Sequence, residues 1–270
     1  MVQKTFGIYD ADLNKGKLFI ELGKNHLAAW TRDTVANKIC SLELFQFANL
    51  DAEYFATSWQ EIQLLSKLLG RTGNTPVIIL ENEDCSLIPE DLLNEDQLKK
   101  EFSLMHNGPV ENLQVERSPV AEMVLVNDIH IDALTEIQKS FPAAVTKHKY
   151  AEILRQMKSQ NEADLVKIYF YTSYFIAVVF KENQLQLLRH FSFQTPEDAL
   201  YYILLACKQS GLPQTTSVEA SGMIDTDSPL YKTLYRYLAG FRLETPAAST
   251  FVTAGFNEFP LHYFSVFCNE

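Results

Sequence analysis

Short segments in which apolar and polar residues alternate occur in two groups, and the two groups have the same layout. The predicted strands are Lys17–Leu22, His26–Arg32 and Asn37–Phe47 in the first group, and Asp164–Tyr171, Tyr174–Lys181 and Gln184–Phe193 in the second. Short polar links join the strands within each group, so each group is predicted to be an antiparallel meander.

Each predicted meander is followed by a helix, an apolar strand and a second helix. In the first group these are Trp59–Leu69, Pro76–Leu80 and Pro89–Phe102, and in the second Glu197–Ser210, Thr215–Ala220 and Leu230–Ala239. Ser58 and Glu61 have capping-box spacing, and Thr195 precedes Pro196 as an N-cap. The repeated order predicts an internal duplication in the α/β class, with each half a mixed sheet of β-β-β-α-β-α order.

The pattern changes between residues 107 and 160, where two strands, a helix, a strand and a helix are predicted. The most polar junction of the chain follows, at Ser159–Glu162. The predicted domains are therefore residues 1–160, with about 107–160 inserted or appended, and residues 161–270.

Composition narrows the classes of function. The chain has 270 residues, of which 47% are hydrophobic, and a net charge of −11, which disfavours binding to nucleic acid. Its four cysteines form no CxxC pair and its six histidines lack metal-ligand spacing, so no metal site is expected. Without a signal-peptide pattern or an apolar run of ~20 residues, the prediction is a cytoplasmic protein without membrane insertion.

The order of elements is similar to that of a ribonuclease H-like unit. Two such units in tandem resemble the superfamily of actin, sugar kinases and heat-shock ATPases. The run His190–Asp198, followed by Tyr201-Tyr202-Ile203-Leu204, resembles an uncharacterised bacterial family, domain of unknown function 3822, which is associated with the actin-like ATPase fold. The resemblance implies a fold and leaves the activity open.

Actin-like ATPases hold phosphate in two hairpin turns, each typically carrying an Asp and a Gly, so the resemblance directs attention to both turns here. The first is Glu21-Leu22-Gly23-Lys24-Asn25. It can be interpreted as a phosphate turn, with Glu21 as the only catalytic candidate and Gly23, Lys24 and Asn25 as phosphate contacts. The more common explanation of such a turn is an ordinary hairpin that uses Gly and Asn for positive φ.

The second turn, Tyr171-Thr172-Ser173-Tyr174, has neither acid nor glycine, which predicts that this half of the device is lost. Ser221 and Gly222 stand where the resemblance implies an adenosine contact, and they also fit an ordinary turn. A ribonuclease H-type nuclease would need several carboxylates gathered on the sheet to hold two metal ions. The candidates on predicted strands are chiefly Glu21, Glu43 and Glu219. The Lys147-His148-Lys149 cluster is expected to be a solvated strand end rather than an anion site.

Two hypotheses follow. The first is a non-catalytic actin-like scaffold with a degenerate nucleotide site, which binds a protein partner or itself and needs no cofactor. Tyrosines of the second half, such as Tyr201 and Tyr235, would contribute to an interface or fill the core. The alternative is a divergent ATPase or kinase with ATP and Mg²⁺ in the cleft between the halves, held by Glu21, the first turn and Ser221-Gly222.

Overall fold

The computed structural model describes residues 2–48, 52–70, 75–106, 110, 112–118, 122–129, 131–157, 163–213 and 215–268. The chain divides into two compact units. Unit 1 contains residues 1–158 and 249–255, and unit 2 contains residues 159–248 and 256–270. The predicted junction at 159–162 lies outside the described residues.

Unit 1 has nine strands within the described residues. They are β1 (Gln3–Ile8), β2 (Lys17–Leu22), β3 (His26–Asp33), β4 (Lys38–Gln46), β5 (Val77–Leu80), β6 (Cys85–Pro89), β7 (Leu113–Arg117), β8 (Met123–Asp128) and β9 (Val145–His148). Six of them form a mixed sheet in the order β1-β4-β3-β2-β5-β9, in which β2, β5 and β9 are parallel. The other three form an antiparallel sheet in the order β6-β8-β7.

The helices of unit 1 are α1 (Ala52–Leu65), α2 (Glu95–His106), α3 (Ile131–Ser140) and α4 (Lys149–Met157). One face of the six-stranded sheet packs against α1 and α3 through residues such as Ile20, Phe55, Trp59 and Ile137, all buried. The small sheet and α2 have a core of their own around Phe102. Burial of these apolar side chains is the main source of stability for both layers.

Unit 2 has five strands within the described residues: β10 (Leu165–Phe170), β11 (Tyr174–Lys181), β12 (Gln184–Ser192), β13 (Ser217–Gly222) and β14 (Gly240–Leu243). They form one sheet in the order β12-β11-β10-β13-β14, in which β10, β13 and β14 are parallel. The helices α5 (Pro196–Gln209) and α6 (Pro229–Tyr237) cover one face through buried residues such as Ile203 and Leu234.

Local chemistry sets the ends of these elements. Thr195 Oγ1 accepts the backbone N–H of Asp198, and the Asp198 carboxylate accepts the N–H of Thr195, so α5 begins with a full capping box. After α5, Gly211 takes the left-handed conformation at φ +65° that favours glycine. The last helix, α7 (Ser265–Cys268), lies in the buried C-terminal segment.

Most of the strands form where alternation predicts them, and three features differ. Helix α1 begins at Ala52, so Ser58 and Glu61 lie inside it rather than at its start. Of the helix predicted from Pro89, the first residue is the last of strand β6, Glu90–Leu92 form a short 3-10 turn, and α2 begins at Glu95. The strict β-β-β-α-β-α order does not describe unit 1. Strand β1 precedes the meander, and the strands of the three-stranded sheet lie between β5 and β9 in sequence, although β5 and β9 are neighbours in the larger sheet.

The region predicted as inserted or appended, about 107–160, divides between two sheets: β7 and β8 join β6, whereas β9 joins β5. Over the residues that the structure describes, every helix is too short or too polar to cross a membrane.

Candidate functional site

The first candidate turn joins β2 to β3 and is closed by backbone hydrogen bonds. Gly23 N–H donates to His26 O at 3.0 Å, and Phe47 N–H donates to Asn25 O at 3.0 Å. On the parallel side, Glu81 N–H donates to Leu22 O at 2.8 Å. The turn is thus fixed to β4 and β5, with Lys24 exposed and Asn25 half-buried.

Glu21, the catalytic candidate, lies next to this turn with its side chain 0% exposed. Its Oε2 is 2.7 Å from Lys149 Nζ, and its Oε1 is 3.1 Å from His26 Nε2. Burial by itself raises the pKa of Glu21, but Lys149 and His26 outweigh burial and lower the pKa from 4.5 to about 2. The carboxylate is therefore ionised, and both of its oxygens are bound to side chains of the protein itself.

The positive φ that the hairpin interpretation gave to Gly23 and Asn25 is wrong, and a glycine is needed at position 23 for another reason. The φ of Gly23 is not positive, since the positive values among the described residues lie elsewhere, and neither is that of Asn25. A Cβ on Gly23 would stand 2.0 Å from Cε1 of His26. The missing side chain makes room for the imidazole that donates to Glu21. Lys24, the cation of the turn, forms an exposed ion pair with Glu83 at 2.9 Å.

The last residue of β9, His148, and the first of α4, Lys149, are buried. The expectation of a solvated Lys147-His148-Lys149 cluster is therefore wrong for both and holds in part only for Lys147, whose side chain is 33% exposed. His148 is 2% and Lys149 0% exposed. Nδ1 of His148 accepts the backbone N–H of Tyr150 at 3.1 Å, and Nε2–H donates to Asn82 Oδ1 at 2.8 Å. This imidazole is neutral, and burial lowers its pKa from 6.5 to about 3.

The second candidate turn joins β10 to β11 and has the same hydrogen bonds as the first. Tyr171 N–H donates to Tyr174 O at 2.9 Å, and Phe193 N–H donates to Ser173 O at 3.1 Å. Tyr171 thus takes the place of Gly23, and Tyr174 the place of His26. Two residues before Tyr171, Tyr169 takes the place of Glu21, because Tyr169 pairs with Ile176 as Glu21 pairs with Ala28.

Aromatic rings fill the second turn. The rings of Tyr171 and Tyr174 stack with centroids 4.6 Å apart, and Tyr174 stacks on His190 at 4.2 Å. Tyr169, Tyr171 and Tyr174 are all buried, whereas Thr172 and Ser173 are exposed. The hydroxyls of Thr172 and Ser173 are what remains at this turn to contact a phosphate.

Ser221 and Gly222, the candidates for an adenosine contact, form the end of β13 rather than a free turn. Ser221 is fully buried, and no described residue is placed to hydrogen-bond its Oγ. Gly222 has φ +86°, and a Cβ there would stand 2.1 Å from Phe170 O. This glycine is required by the close approach of β10 and β13.

The carboxylates considered for a nuclease do not converge in unit 1. Glu21 pairs with Ala28 and Glu43 with Ala29, and consecutive residues of a strand face opposite sides of a sheet. Glu43 is occupied on its own side, where it accepts hydrogen bonds from Tyr9 Oη at 2.6 Å and Lys67 N at 2.8 Å. Nowhere in the described chain do three His, Cys, Asp or Glu residues gather as a metal would require.

The residues that define the first turn chemically, His26 and Lys149, were not predicted from the sequence. His26 had a weak signal, since it lies five residues after Glu21 across a two-strand hairpin. Lys149 had none, because it is 128 positions away and reaches Glu21 only through the parallel pairing of β2, β5 and β9.

Comparison with known proteins assigns the family and the fold. The model of the family "Protein of unknown function (DUF3822)" matches residues 8–241, and the chain belongs to this family. A Bacteroides thetaiotaomicron protein with an actin-like ATPase fold and unknown function is similar in structure, with a TM-score of 0.69, 18% identity, and coverage of 84% of this chain and 90% of that one.

A chain of the PilM–PilN type IV pilus biogenesis complex is also similar, with a TM-score of 0.55 and 11% identity over 93% of this chain and 96% of that one. At these identities the similarity shows the actin-like fold alone. No curated protein matches the chain.

Proposed function

We propose that this protein is a non-catalytic, actin-like interaction protein in which the nucleotide site has degenerated. The proposal treats the two units as tandem ribonuclease H-like halves. Their sheets share the order meander, parallel strand, parallel strand, and their first hairpins share the same closing hydrogen bonds. The chemistry at those hairpins, unlike the hydrogen bonds, has diverged.

The observation that carries the proposal is the state of Glu21. An acid that positions a metal or an attacking water must present at least one oxygen to the ligand. Both oxygens of Glu21 instead contact Lys149 and His26, and the side chain is 0% exposed. The corresponding place in unit 2 holds Tyr169, which has no carboxylate to offer.

Loss of the nucleotide chemistry favours a role in binding another protein. The similarity to a chain of the pilus biogenesis complex supports this choice, because that structure is itself a protein–protein complex. The alternative, a divergent ATPase or kinase, would have to use Lys24, Thr172 and Ser173, the exposed polar residues of the two turns.

Titration with Mg-ATP tests the proposal. A ligand that binds the native state stabilises it, by about 2.7 kcal/mol at a concentration 100 times its Kd. We expect no increase in the melting temperature at millimolar Mg-ATP and no phosphate release. A clear increase that Lys24→Ala removes would instead establish the ATP-binding alternative; Lys24 is exposed, so this variant leaves the fold intact.

A further inference from the structure

Strand β12 ends the sheet of unit 2 and has β11 as its neighbour among the described strands. Its nine residues contain no proline, glycine or acid, and none of them is buried. The stretch from Leu187 to Ser192 is free of bulges, since the one register shift against β11 lies nearer the start of the strand, opposite Val179 and Phe180. Such an edge presents backbone N–H and C=O groups that a further strand can use.

The corresponding strand of unit 1 shows that an edge at this place in the sheet can pair with a further strand. In the pairing with the preceding strand, Gln46 of β4 lies opposite His26 as Ser192 of β12 lies opposite Tyr174, so β4 is the counterpart of β12. The outer edge of β4 pairs antiparallel with β1. The residues of β4 from Ile39 to Phe45 are buried, in contrast to those of β12.

The charge at the two edges is opposite. By the same register, Arg189 of β12 corresponds to Glu43 of β4. In unit 1 the incoming strand supplies the matching cation, since Lys4 Nζ of β1 lies 2.6 Å from Glu43 Oε1. Arg189 is exposed, and its guanidinium carbon lies over the Phe191 ring, 5.8 Å from the ring centroid.

An aromatic surface adjoins this arginine. Phe191 stacks on Tyr202 of α5 with centroids 5.2 Å apart, and Tyr202 contacts Tyr201, which is 60% exposed. Tyrosine and arginine are enriched in protein interfaces. Backbone groups, a cation and aromatic rings thus lie together along one edge of unit 2.

We infer that the outer edge of β12 binds an extended segment of another protein as an added antiparallel strand, with a carboxylate of that segment paired to Arg189. The inference names the partner chemistry for the interaction role proposed above and rests on that role. A second copy of the chain fits less well. Antiparallel pairing of β12 with itself around Leu188 brings the two Arg189 side chains to one face, where like charges repel, and a net charge of −11 on each copy opposes association.

The probe is a synthetic peptide with the sequence of residues 2–9, which contains the β1 strand, Gln3–Ile8. One version carries Lys4→Glu and the matched control keeps Lys4. The readout is the backbone amide NMR spectrum of the full chain at millimolar peptide. We expect shifts at residues 187–192 and about three-fold tighter binding of the Glu version, as for an exposed ion pair.

Arg189→Glu in the full chain is expected to reverse this preference, so that the Lys4 peptide binds more tightly. Two further peptides test the strand pairing, one methylated on the backbone nitrogens of its odd-numbered residues and the other on those of its even-numbered residues. Alternate N–H groups of an added strand point toward its neighbour, so one of the two peptides must lose binding. Absence of shifts in β12, equal affinity of the two unmethylated peptides, retention of binding by both methylated peptides, or a concentration-dependent dimer through β12 would each overturn the inference.

Mg-ATP added to the same samples separates the two proposals. Stabilisation by nucleotide would refute the degenerate nucleotide site, and with it the proposed function, whether or not the peptide binds. Absence of peptide binding at β12, together with absence of any nucleotide effect, would refute only the inference that β12 binds an added strand.

Discussion

At the scale of single residues, Glu21 shows how a fully buried carboxylate is accommodated beside a hairpin turn. In the first hairpin it is a buried carboxylate whose charge is balanced by Lys149 and which is hydrogen-bonded to His26. A buried ion pair of this kind contributes little net stability, because desolvation offsets the attraction. Breaking it is costly, because the remaining charge is buried without a partner.

Replacing Lys149 therefore has a predictable cost. Lys149→Met leaves Glu21 in an apolar site without its cation and should lower the free energy of unfolding by about 3–5 kcal/mol. The double variant Glu21→Gln with Lys149→Met removes both charges and should recover most of that loss. Urea denaturation of the wild type, both single variants and the double variant forms the cycle, and additive losses would refute the pairing.

The pKa of Glu21 predicts how stability depends on acid. The group ionises at about 2 in the fold instead of 4.5, so between these values the unfolded chain binds the extra proton and stability rises with pH. The contribution is complete above pH 4.5 and is lost as pH falls toward 2. Over that window the wild type should lose about 3 kcal/mol more than Glu21→Gln does. Parallel acid-unfolding curves for the two proteins would contradict this.

At the scale of elements, apolar periodicity predicts strands well because it reports which residues a sheet buries. Strand β2 and strand β11 begin and end at the predicted residues. The capping signal at Thr195 is equally local and is confirmed. Where the pattern fails, as at β6, the strand is half-buried throughout and its neighbours are distant in sequence.

The site was predictable only in its location. The hairpin that contains Glu21 and Gly23 is where the sequence places it, since its strands are adjacent. The contacts of Glu21 depend on Lys149, and parallel strands bring that residue into place through two crossovers. Sequence spacing does not indicate such a contact, so the ion pair between Lys149 and Glu21 is seen only in the structure.

The junction of β10 and β13 makes a prediction about strand pairing. Gly222→Ala introduces a Cβ 2.1 Å from Phe170 O at a φ of +86°, so the two strands must separate or the backbone must change. We expect a loss of about 3 kcal/mol or more. Gly70→Ala is the matched control, because a Cβ there meets nothing within 4 Å, and it should be neutral. Equal melting temperatures for the two variants would refute the packing argument.

At the scale of the whole molecule, neither unit is one continuous segment of the chain. After β14 the chain returns to unit 1 for residues 249–255 and then completes unit 2. Phe251 forms a parallel bridge with Ile39, and Val252 N–H donates to Ile39 O at 2.9 Å. The family model matches residues 8–241, so this returning segment lies outside the matched part of the chain.

The returning segment should nevertheless be part of the stable fold. Phe251 is 6% exposed against β4, more than 200 positions away in sequence, and its neighbour Val252 is 36% exposed. Phe251→Ala should cost about 3 kcal/mol, the low end for a buried phenylalanine, whereas Val252→Ala should cost less than about 1 kcal/mol. Chemical denaturation of both variants provides the comparison. If the two losses are equal, the segment is merely a connection on the surface; if Phe251→Ala alone is costly, unit 1 is stabilised by residues from two separate parts of the chain.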